Sequence, residues 1–280
     1  MNLDDFAAVK LDEVLETAGL LKRVDRKYLL TDTAMSPLLQ YLAAECAVLE
    51  IDRRRSFTYQ SVYFDDAERS SYLGAARKLR RRFKVRTRTY CDSGLCMVEV
   101  KVRGARGNTV KTRQLHSQNP YGLLGSEQFV DEQLDGRALA RRLQPTLANT
   151  YVRSTLTHLG AGSRITIDRD LQARLVGTLQ SVSFPRTYVV ETKSLGERTI
   201  ADEWLWAHGI RPAKVSKYAT SFAMMDPTLP ANRWSRTIRD LMPTATFGHD
   251  LSLDPGDIDR QVNAFARQME VRGLSPLLGD

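Results

Sequence analysis

Cysteine is scarce in this sequence. The three cysteines, Cys46, Cys91 and Cys96, are an odd number and lack the spacing of metal ligands. This argues against both a disulfide framework and a zinc site. Cys91 and Cys96 flank a turn, but a disulfide between them is not expected. The composition therefore predicts a reduced, cytoplasmic protein.

Long apolar runs, targeting signals and familiar catalytic loops are also missing. No stretch of the 280 residues is long or apolar enough to span a bilayer. Five acidic residues within the first 20 positions argue against a signal peptide, and they predict an acidic amphipathic helix over residues 4–18. No glycine-rich phosphate loop occurs, which argues against P-loop chemistry. The four histidines are scattered without ligand spacing, so no metal role is assigned to them.

Positive charge is what the chain has in excess. The formal net charge is +8, which favours polyanionic partners such as nucleic acid, phosphorylated metabolites, polyphosphate or anionic lipid. A basic protein without any such partner has the same composition. The position of the charge along the chain has to decide between these interpretations.

Strand patterns dominate the chain. We predict strands over residues 23–31, 57–64, 81–90, 95–103, 109–115, 149–156, 164–168 and 187–194. Helices are predicted over residues 32–47, 126–143, 197–208 and 217–225. The pattern is ambiguous over 72–79, predicts an extended tail over 226–256, and predicts a closing helix over 257–271.

Several predicted strands carry charge on one face only. In 81–90, Lys84, Arg86 and Arg88 alternate with apolar or small residues. Further charged faces hold Asp25 and Lys27; Glu99, Lys101 and Arg103; Lys111 and Arg113; Arg164 and Asp168; Glu191 and Lys193. A solvated sheet face also alternates, but like charges on neighbouring strands destabilise a sheet unless an anion neutralises them. With helices over the apolar faces, the pattern predicts a closed antiparallel β-barrel with a basic lumen.

Nine short motifs follow one another along residues 20–225. They are RVDRKY at 23–28, SVYFD at 61–65, RTRTY at 86–90, EVK at 99–101, KTR at 111–113, YVR at 151–153, RITID at 164–168, ETK at 191–193 and SKY at 216–218. In this order they resemble the vacuolar transporter chaperone (VTC) domain family of triphosphate tunnel metalloenzymes. The resemblance implies an α+β, mainly β fold: an eight-stranded closed antiparallel barrel with flanking helices, whose lumen holds a triphosphate with manganese or magnesium.

The resemblance also implies roles for individual residues. Arginines suit a catalytic clamp on the transferred phosphate because the guanidinium makes bidentate bonds. The expected clamp is Arg86, Arg88, Arg153 and Arg164. The expected substrate-binding bases are Lys27, Lys84, Lys101, Lys111, Arg113, Lys193 and Lys217, of which Lys84, Arg113 and Lys193 are added from the strand faces. Glu191 is the expected metal ligand, with Glu99 as a second one.

The sequence departs from known relatives in two respects. Adenylyl cyclase-like and thiamine triphosphatase-like relatives open with E-x-E-x-K, whereas here Arg23 occupies the first position and only Asp25 remains. This disfavours two-metal chemistry of their kind. The eukaryotic polymerases also carry a phosphate-sensing domain and membrane helices, and neither is recognisable here. Any membrane role of this chain would therefore need a membrane-protein partner.

We expect an N-terminal helix over 1–20, a tunnel domain over 21–226 and an extension over 227–280 packed on the barrel. The expected activity is that of a polyphosphate polymerase, which transfers the γ-phosphate of a nucleoside triphosphate onto polyphosphate. The alternatives are a metal-dependent triphosphate hydrolase and a non-catalytic polyphosphate-binding module.

Nucleic acid is not expected, because no charged face is interleaved with aromatics. The basic runs 53–55 and 80–82 are solvated surface or, alternatively, a docking track for polyphosphate. The sequence leaves the oligomeric state open.

Overall fold

The structure is a computed structural model of the chain and describes residues 1–18, 24–103, 109–136 and 139–249. Within them lie twelve strands: β1 Ala7–Val9, β2 Val24–Thr31, β3 Ala47–Leu49, β4 Phe57–Asp65, β5 Phe83–Tyr90, β6 Leu95–Arg103, β7 Thr109–Leu115, β8 Gln144–His158, β9 Ser163–Leu175, β10 Gln180–Phe184, β11 Thr187–Ser194 and β12 Thr246–His249. The α-helices are α1 Leu11–Ala18, α2 Asp32–Leu42, α3 Ser70–Ala76, α4 Glu127–Gln133, α5 Ile200–Ala207, α6 Lys217–Met225 and α7 Ser235–Leu241.

Eight of these strands form one antiparallel sheet in the order β7-β6-β5-β4-β8-β9-β11-β2. All eight correspond to strands predicted from the sequence, and the charged faces fall into register from strand to strand. Lys84 pairs with Lys101, and Lys101 pairs with Lys111. Glu191 pairs with Lys27. The alternation therefore places the predicted bases on a common face, which we call the tunnel face.

The predicted closed eight-stranded barrel is wrong in two respects. The sheet has twelve strands in the described residues, and hydrogen bonds there do not join its edges β2 and β7. The extra strands arise because β8 and β9 are long enough to pair with two neighbours along one edge: β4 and β3 on β8, β11 and β10 on β9. The edge of β2 is contacted instead by the segment before α6, where the Ala213 amide donates to the Lys27 carbonyl at 2.7 Å.

The face opposite the tunnel face is apolar and is covered by helices, as predicted. Helix α2 buries Met35, Leu38 and Leu42 against strand residues that include Ile165 and Val190, and α5 joins this cluster. Helix α4 and the short 3-10 turn Ala140–Arg142 cover the valines of β5 and β6. Each buried aliphatic side chain contributes about 1.5–3 kcal/mol relative to exposure. This burial fixes which face of each strand is left for the charges.

Two predicted helices are shorter than expected, for one shared reason. The helix predicted over 4–18 begins at Leu11, and the helix predicted over 32–47 ends at Leu42. Residues 7–9 of the first prediction form β1, and residues 43–46 of the second form a turn that leads into β3. Strands β1 and β3 pair with each other in parallel. A pairing between segments so distant in sequence leaves no local signal. The expected stop of the first helix at Gly19 lies outside the described residues.

The other differences also come from tertiary packing. The described part of the helix predicted over 126–143 contains α4 and a separate 3-10 turn, and the ambiguous segment 72–79 is mostly α3. Strand β10 was not predicted; it pairs with β9 beyond a bulge. The predicted tail 226–256 contains α7 and β12 in its described part, because Trp234 and Leu241 are buried against α6. The predicted helix 257–271 lies outside the described residues.

Two smaller expectations can be checked directly. All three cysteines are free thiols, as expected. Among the helices of the described residues, none has the length and apolar character of a membrane span.

Candidate functional site

The tunnel face gathers charged residues from strands that are distant in the sequence. A cavity of about 370 Å³ is lined by Lys27 of β2 together with Lys84 of β5 and Lys101 of β6. Strands β2 and β6 lie towards opposite ends of the eight-strand order, so the sheet must curve to bring these lysines to one cavity. The predicted convergence of basic strand faces is therefore observed for the residues around this cavity.

Glu99 holds two of the predicted bases in place. Its carboxylate is 1% exposed and accepts two hydrogen bonds from Arg86, at 2.7 and 2.5 Å, and another from Lys111. Burial alone would raise the pKa of Glu99, but Arg86, Arg88 and Lys111 outweigh burial and hold it well below the usual range. Both carboxylate oxygens are thus occupied by bases.

Asp168 plays the same part for the arginine of β8 and the lysine of α6. Arg153 donates to its two oxygens at 2.6 and 2.8 Å, and Lys217 donates to Oδ2. Burial would raise the pKa of this fully buried carboxyl, but Arg153 and Lys217 reverse the effect and lower it. The sequence placed Asp168 among the sparse acids of the charged faces without assigning it to the site. The structure shows that it orients two site bases.

Glu191 is the third acid of the tunnel face. It forms an ion pair with Lys193 at 3.0 Å and lies opposite Lys27 in the strand register. Burial would raise its pKa, but Lys27, Lys193 and Arg153 hold it well below the usual range. Glu191 is therefore an anion at any working pH, surrounded by bases.

Lys101 has no such partner. No described carboxylate lies within ion-pair distance of it, and it faces Lys84 and Lys111 on the neighbouring strands. Burial, reinforced by Arg86 and other nearby bases, lowers the pKa of Lys101 to about 6. The pKa of Lys84 falls to about 8, with burial as the largest cause. Burial and the neighbouring bases therefore keep Lys101 largely deprotonated at neutral pH, and a bound anion would favour its charged form.

Tyrosines, which the sequence analysis did not assign to the site, line part of the same face. Arg88 donates to the Tyr151 hydroxyl at 2.9 Å and lies 5.5 Å from the Tyr59 ring. Arg86 donates to the Tyr63 hydroxyl at 3.1 Å. Burial would raise the pKa of Tyr63, but Arg86, Lys84 and Arg88 outweigh it and lower the value to about 7. Tyr151 shares its strand parity with Arg153, which could have identified it. Tyr59 and Tyr63 lie on β4, which carries no base, so only the register with β5 and β8 places them on this face.

Helix α6 brings Lys217 to the tunnel face. Ser216 caps the helix by accepting from the Ala219 amide at 3.2 Å, and it also accepts from Lys84 at 3.2 Å. Tyr218 donates to the buried Asp65 at 2.8 Å. The rest of the helix packs against the apolar end of the tunnel-face strands, including Leu147 and Leu171. The helix therefore covers one end of this face while its first residue reaches the charged part.

Two predicted bases, Arg113 and Arg164, lie next to these clusters in the strand register. Arg113 is exposed on the edge strand β7, opposite Glu99 in the register. Arg164 lies opposite Lys193 near the start of β9. The basic run 53–55 does not join the cavity: Arg54 pairs with Asp92 at 2.8 Å and Arg55 with Glu50 at 2.7 Å. That run therefore has structural partners of its own.

The acids only partly fit a divalent metal. Among the described residues, no group of three or more His, Cys, Asp or Glu side chains is arranged to hold an ion. Magnesium, however, is commonly held by one or two carboxylates, with substrate phosphates and waters as its other ligands. Glu191 fits that requirement as a single carboxylate facing the substrate-binding bases. Glu99 fits it poorly, because Arg86 and Lys111 already engage both of its oxygens.

Comparison with known proteins gives one family match. The family model described as VTC domain matches residues 22–226. No curated protein sequence matches the chain. Among solved structures, HpAC1 from Hippeastrum, reported to have a dominant triphosphatase activity, has a TM-score of 0.46 at 14% identity, covering 75% of this chain and 99% of its own. The PH1819 protein from Pyrococcus horikoshii OT3 has a TM-score of 0.40 at 13% identity, covering 73% and 98%.

Proposed function

Because the chain belongs to the VTC domain family, we propose that it transfers the γ-phosphate of a nucleoside triphosphate onto a polyphosphate chain bound at the tunnel face. The observation that carries this proposal is the crowding of half-buried bases on the tunnel face. Lys101 and Lys84 have lowered pKa values and face other bases across the register. A polyanion would relieve this repulsion, because each phosphate oxygen accepts hydrogen bonds from several cations at once.

The arginines supply the positioning that phosphoryl transfer needs. Such reactions depend mainly on alignment of the reacting groups and on neutralisation of charge on the transferred phosphate. Arg86 and Arg153 are oriented in advance by Glu99 and Asp168, and Arg88 by Tyr151. We assign these three guanidinium groups, with Arg164, to a clamp on the phosphate that is transferred.

The lysines act as point charges along the rest of the chain of phosphates. Lys27, Lys84, Lys101, Lys111, Lys193 and Lys217 would hold non-reacting phosphates, with Arg113 at the edge. A bound magnesium or manganese ion would be held by Glu191 and would neutralise charge on the phosphate oxygens. With Glu191 as the carboxylate, the remaining ligands would come from substrate and water.

A second candidate function is metal-dependent hydrolysis of inorganic triphosphate or of a nucleoside triphosphate. One observation favours it: helix α6 covers one end of the tunnel face. A hydrolase can work with one end closed, whereas a polymerase needs an exit for its product. The same bases would then hold the substrate, and water would be the nucleophile.

The experiment is to incubate the full chain with ATP and manganese or magnesium and to separate the products by chain length. Long phosphate chains support the polymerase, and free phosphate or pyrophosphate alone supports the hydrolase. Polyphosphate binding without any product would show a binding module and refute both enzymatic proposals.

Variants locate the activity. Arg88→Ala should lower turnover about 10²–10³-fold, by analogy with the removal of other electrostatic donors. Glu191→Ala should remove the stimulation by metal. Arg236→Ala is the matched control, since its side chain on α7 is 82% exposed and does not line the cavity. Normal turnover by Arg88→Ala would contradict the clamp.

A further inference from the structure

Positive charge does not stop at the predicted site. Along β5 and its preceding residue, Arg82 continues the alternation of Lys84, Arg86 and Arg88, and along β6 Arg103 continues that of Glu99 and Lys101. Arg82 and Arg103 face each other across the two strands, because the Arg103 amide donates to the Arg82 carbonyl at 3.1 Å. Both line the cavity that contains Lys84 and Lys101.

Two more bases reach this cavity from outside the strands. Lys214 comes from the segment before α6, and Arg233 comes from the segment before α7. Arg233 lies beyond the residues matched by the family model, which end at 226. Its guanidinium donates to the Ala75 carbonyl at 2.7 Å and lies 6.0 Å from the Trp234 ring. It is therefore fixed at the rim of the cavity. We call Arg82, Arg103, Lys214 and Arg233 the mouth cluster.

The cavity that holds the mouth cluster has many more bases than acids: among its described lining residues Asp25 is the one acid, against eight bases. Within the described residues, none of the cluster's four bases lies within ion-pair distance of a carboxylate. Burial, together with Arg103 and Arg233, lowers the pKa of Arg82. Like charges directly opposite each other cost a sheet stability. Without a ligand, repulsion between these bases lowers the stability of the protein, whereas a bound anion would neutralise their charge.

Taking the proposed function as its premise, we infer that the mouth cluster is a second subsite, which binds the part of a linear polyphosphate that projects beyond the tunnel bases. The cavity joins it directly to Lys84 and Lys101, so one chain can contact both groups of bases. A triphosphate held by the tunnel bases would leave the mouth cluster free. The subsite therefore discriminates long chains from short ones.

Single-stranded nucleic acid is the other extended polyanion, and the lining disfavours it. Base stacking needs exposed aromatic rings. The aromatic residues of this cavity, Phe83 and Trp234, are only 6% and 3% exposed. Binding of polyphosphate requires only cationic side chains and no aromatic ring.

The test compares affinities of the full chain for a long polyphosphate, for tripolyphosphate and for an oligonucleotide with as many phosphates as the long chain. The double variant Arg103→Gln/Lys214→Gln changes exposed side chains, and Arg233→Gln is made separately because Arg233 has a structural contact. Arg236→Gln is the charge-matched control on the neighbouring helix. Thermal unfolding verifies that each variant is folded.

We expect the double variant and Arg233→Gln each to lower affinity for the long chain at least about tenfold more than affinity for tripolyphosphate. The salt dependence of long-chain binding should become shallower, because fewer phosphates are neutralised. Equal losses of affinity for long and short chains would show that the mouth cluster belongs to the same binding site as the tunnel bases, and would overturn the inference. Unchanged long-chain affinity would overturn it too.

Two further outcomes separate this inference from neighbouring ideas. If the oligonucleotide binds as tightly as polyphosphate and loses the same factor, the subsite is one for nucleic acid and the inference fails. If the unaltered protein turns over no triphosphate, the proposed function fails, but the selective loss of long-chain binding would still establish the subsite.

Discussion

Lys101 offers the sharpest test of this crowding of bases, because it is half-buried among them and has no acid partner. Replacing it with methionine keeps the volume and removes the ammonium group. In the folded protein, burial and the neighbouring bases lower its pKa from 10.5 to about 6. Between these two pH values the unfolded chain binds the proton and the folded chain does not. Stability of the unaltered protein therefore rises with pH across this window.

The magnitude follows from the same values. At pH 8 Lys101 is neutral in the folded protein. In the unfolded chain its pKa is the ordinary 10.5, which lies 2.5 units above this pH, so the side chain there is protonated. At 1.36 kcal/mol per unit, this costs about 3 kcal/mol of stability. Lys101→Met removes the cost, so we expect the free energy of unfolding to increase by up to about 3 kcal/mol at pH 8. At pH 10 the gain should be below about 1 kcal/mol.

The assay is urea unfolding at both pH values, with and without tripolyphosphate. Without the ligand the variant should be more stable than the unaltered protein. Its affinity for tripolyphosphate should fall about tenfold or more, because a charged hydrogen bond to phosphate is lost. Lys10→Met, at an exposed position, should change stability by no more than about 0.5 kcal/mol. A less stable Lys101→Met protein at pH 8, or one with unchanged affinity, would refute the reasoning.

Three other predictions follow from the same site. Asp168→Asn leaves two buried bases without their counter-ion and should lower the free energy of unfolding by about 3–5 kcal/mol in urea, partly restored by tripolyphosphate; a loss below about 1 kcal/mol would contradict this. Glu191→Gln should abolish metal stimulation of turnover and strengthen metal-free tripolyphosphate binding, measured by calorimetry, because a negative charge is removed; weaker metal-free binding would count against it. Lys84, Lys111 and Lys193 have pKa values lowered to about 8, with burial as the largest cause. Tripolyphosphate binding near pH 8 should therefore take up protons, seen as a dependence of the binding heat on buffer ionisation, and proton release would disprove it.

The strand faces were predictable because their signal is local. Successive side chains of a strand point to opposite faces of the sheet. The alternation of Lys84, Arg86 and Arg88 was therefore enough to place all three on one face. The cover of the opposite face by α2, α4 and α5 followed from its apolar residues. The family resemblance then assigned roles to residues such as Lys217, whose position on a helix gives no strand signal. These roles remain predictions for experiment.

Other features depend on partners that the sequence does not reveal. The pairing of β1 with β3, the second neighbours of β8 and β9, and the unjoined edges of β2 and β7 are all choices between distant segments. The division of the acids is another such choice. Asp168 and Glu99 form ion pairs with bases because the strand register and helix α6 place bases next to their carboxylates.

The sequence by itself determined that this chain would place bases on one face of its strands, since side-chain alternation is a property of each strand alone. Only the tertiary structure decided which bases meet, which receive an acid and which are left to repel each other. The physical reason is that charge interaction depends on distance through space and on burial. Lys27 and Lys101 become neighbours through the curvature and register of the whole sheet.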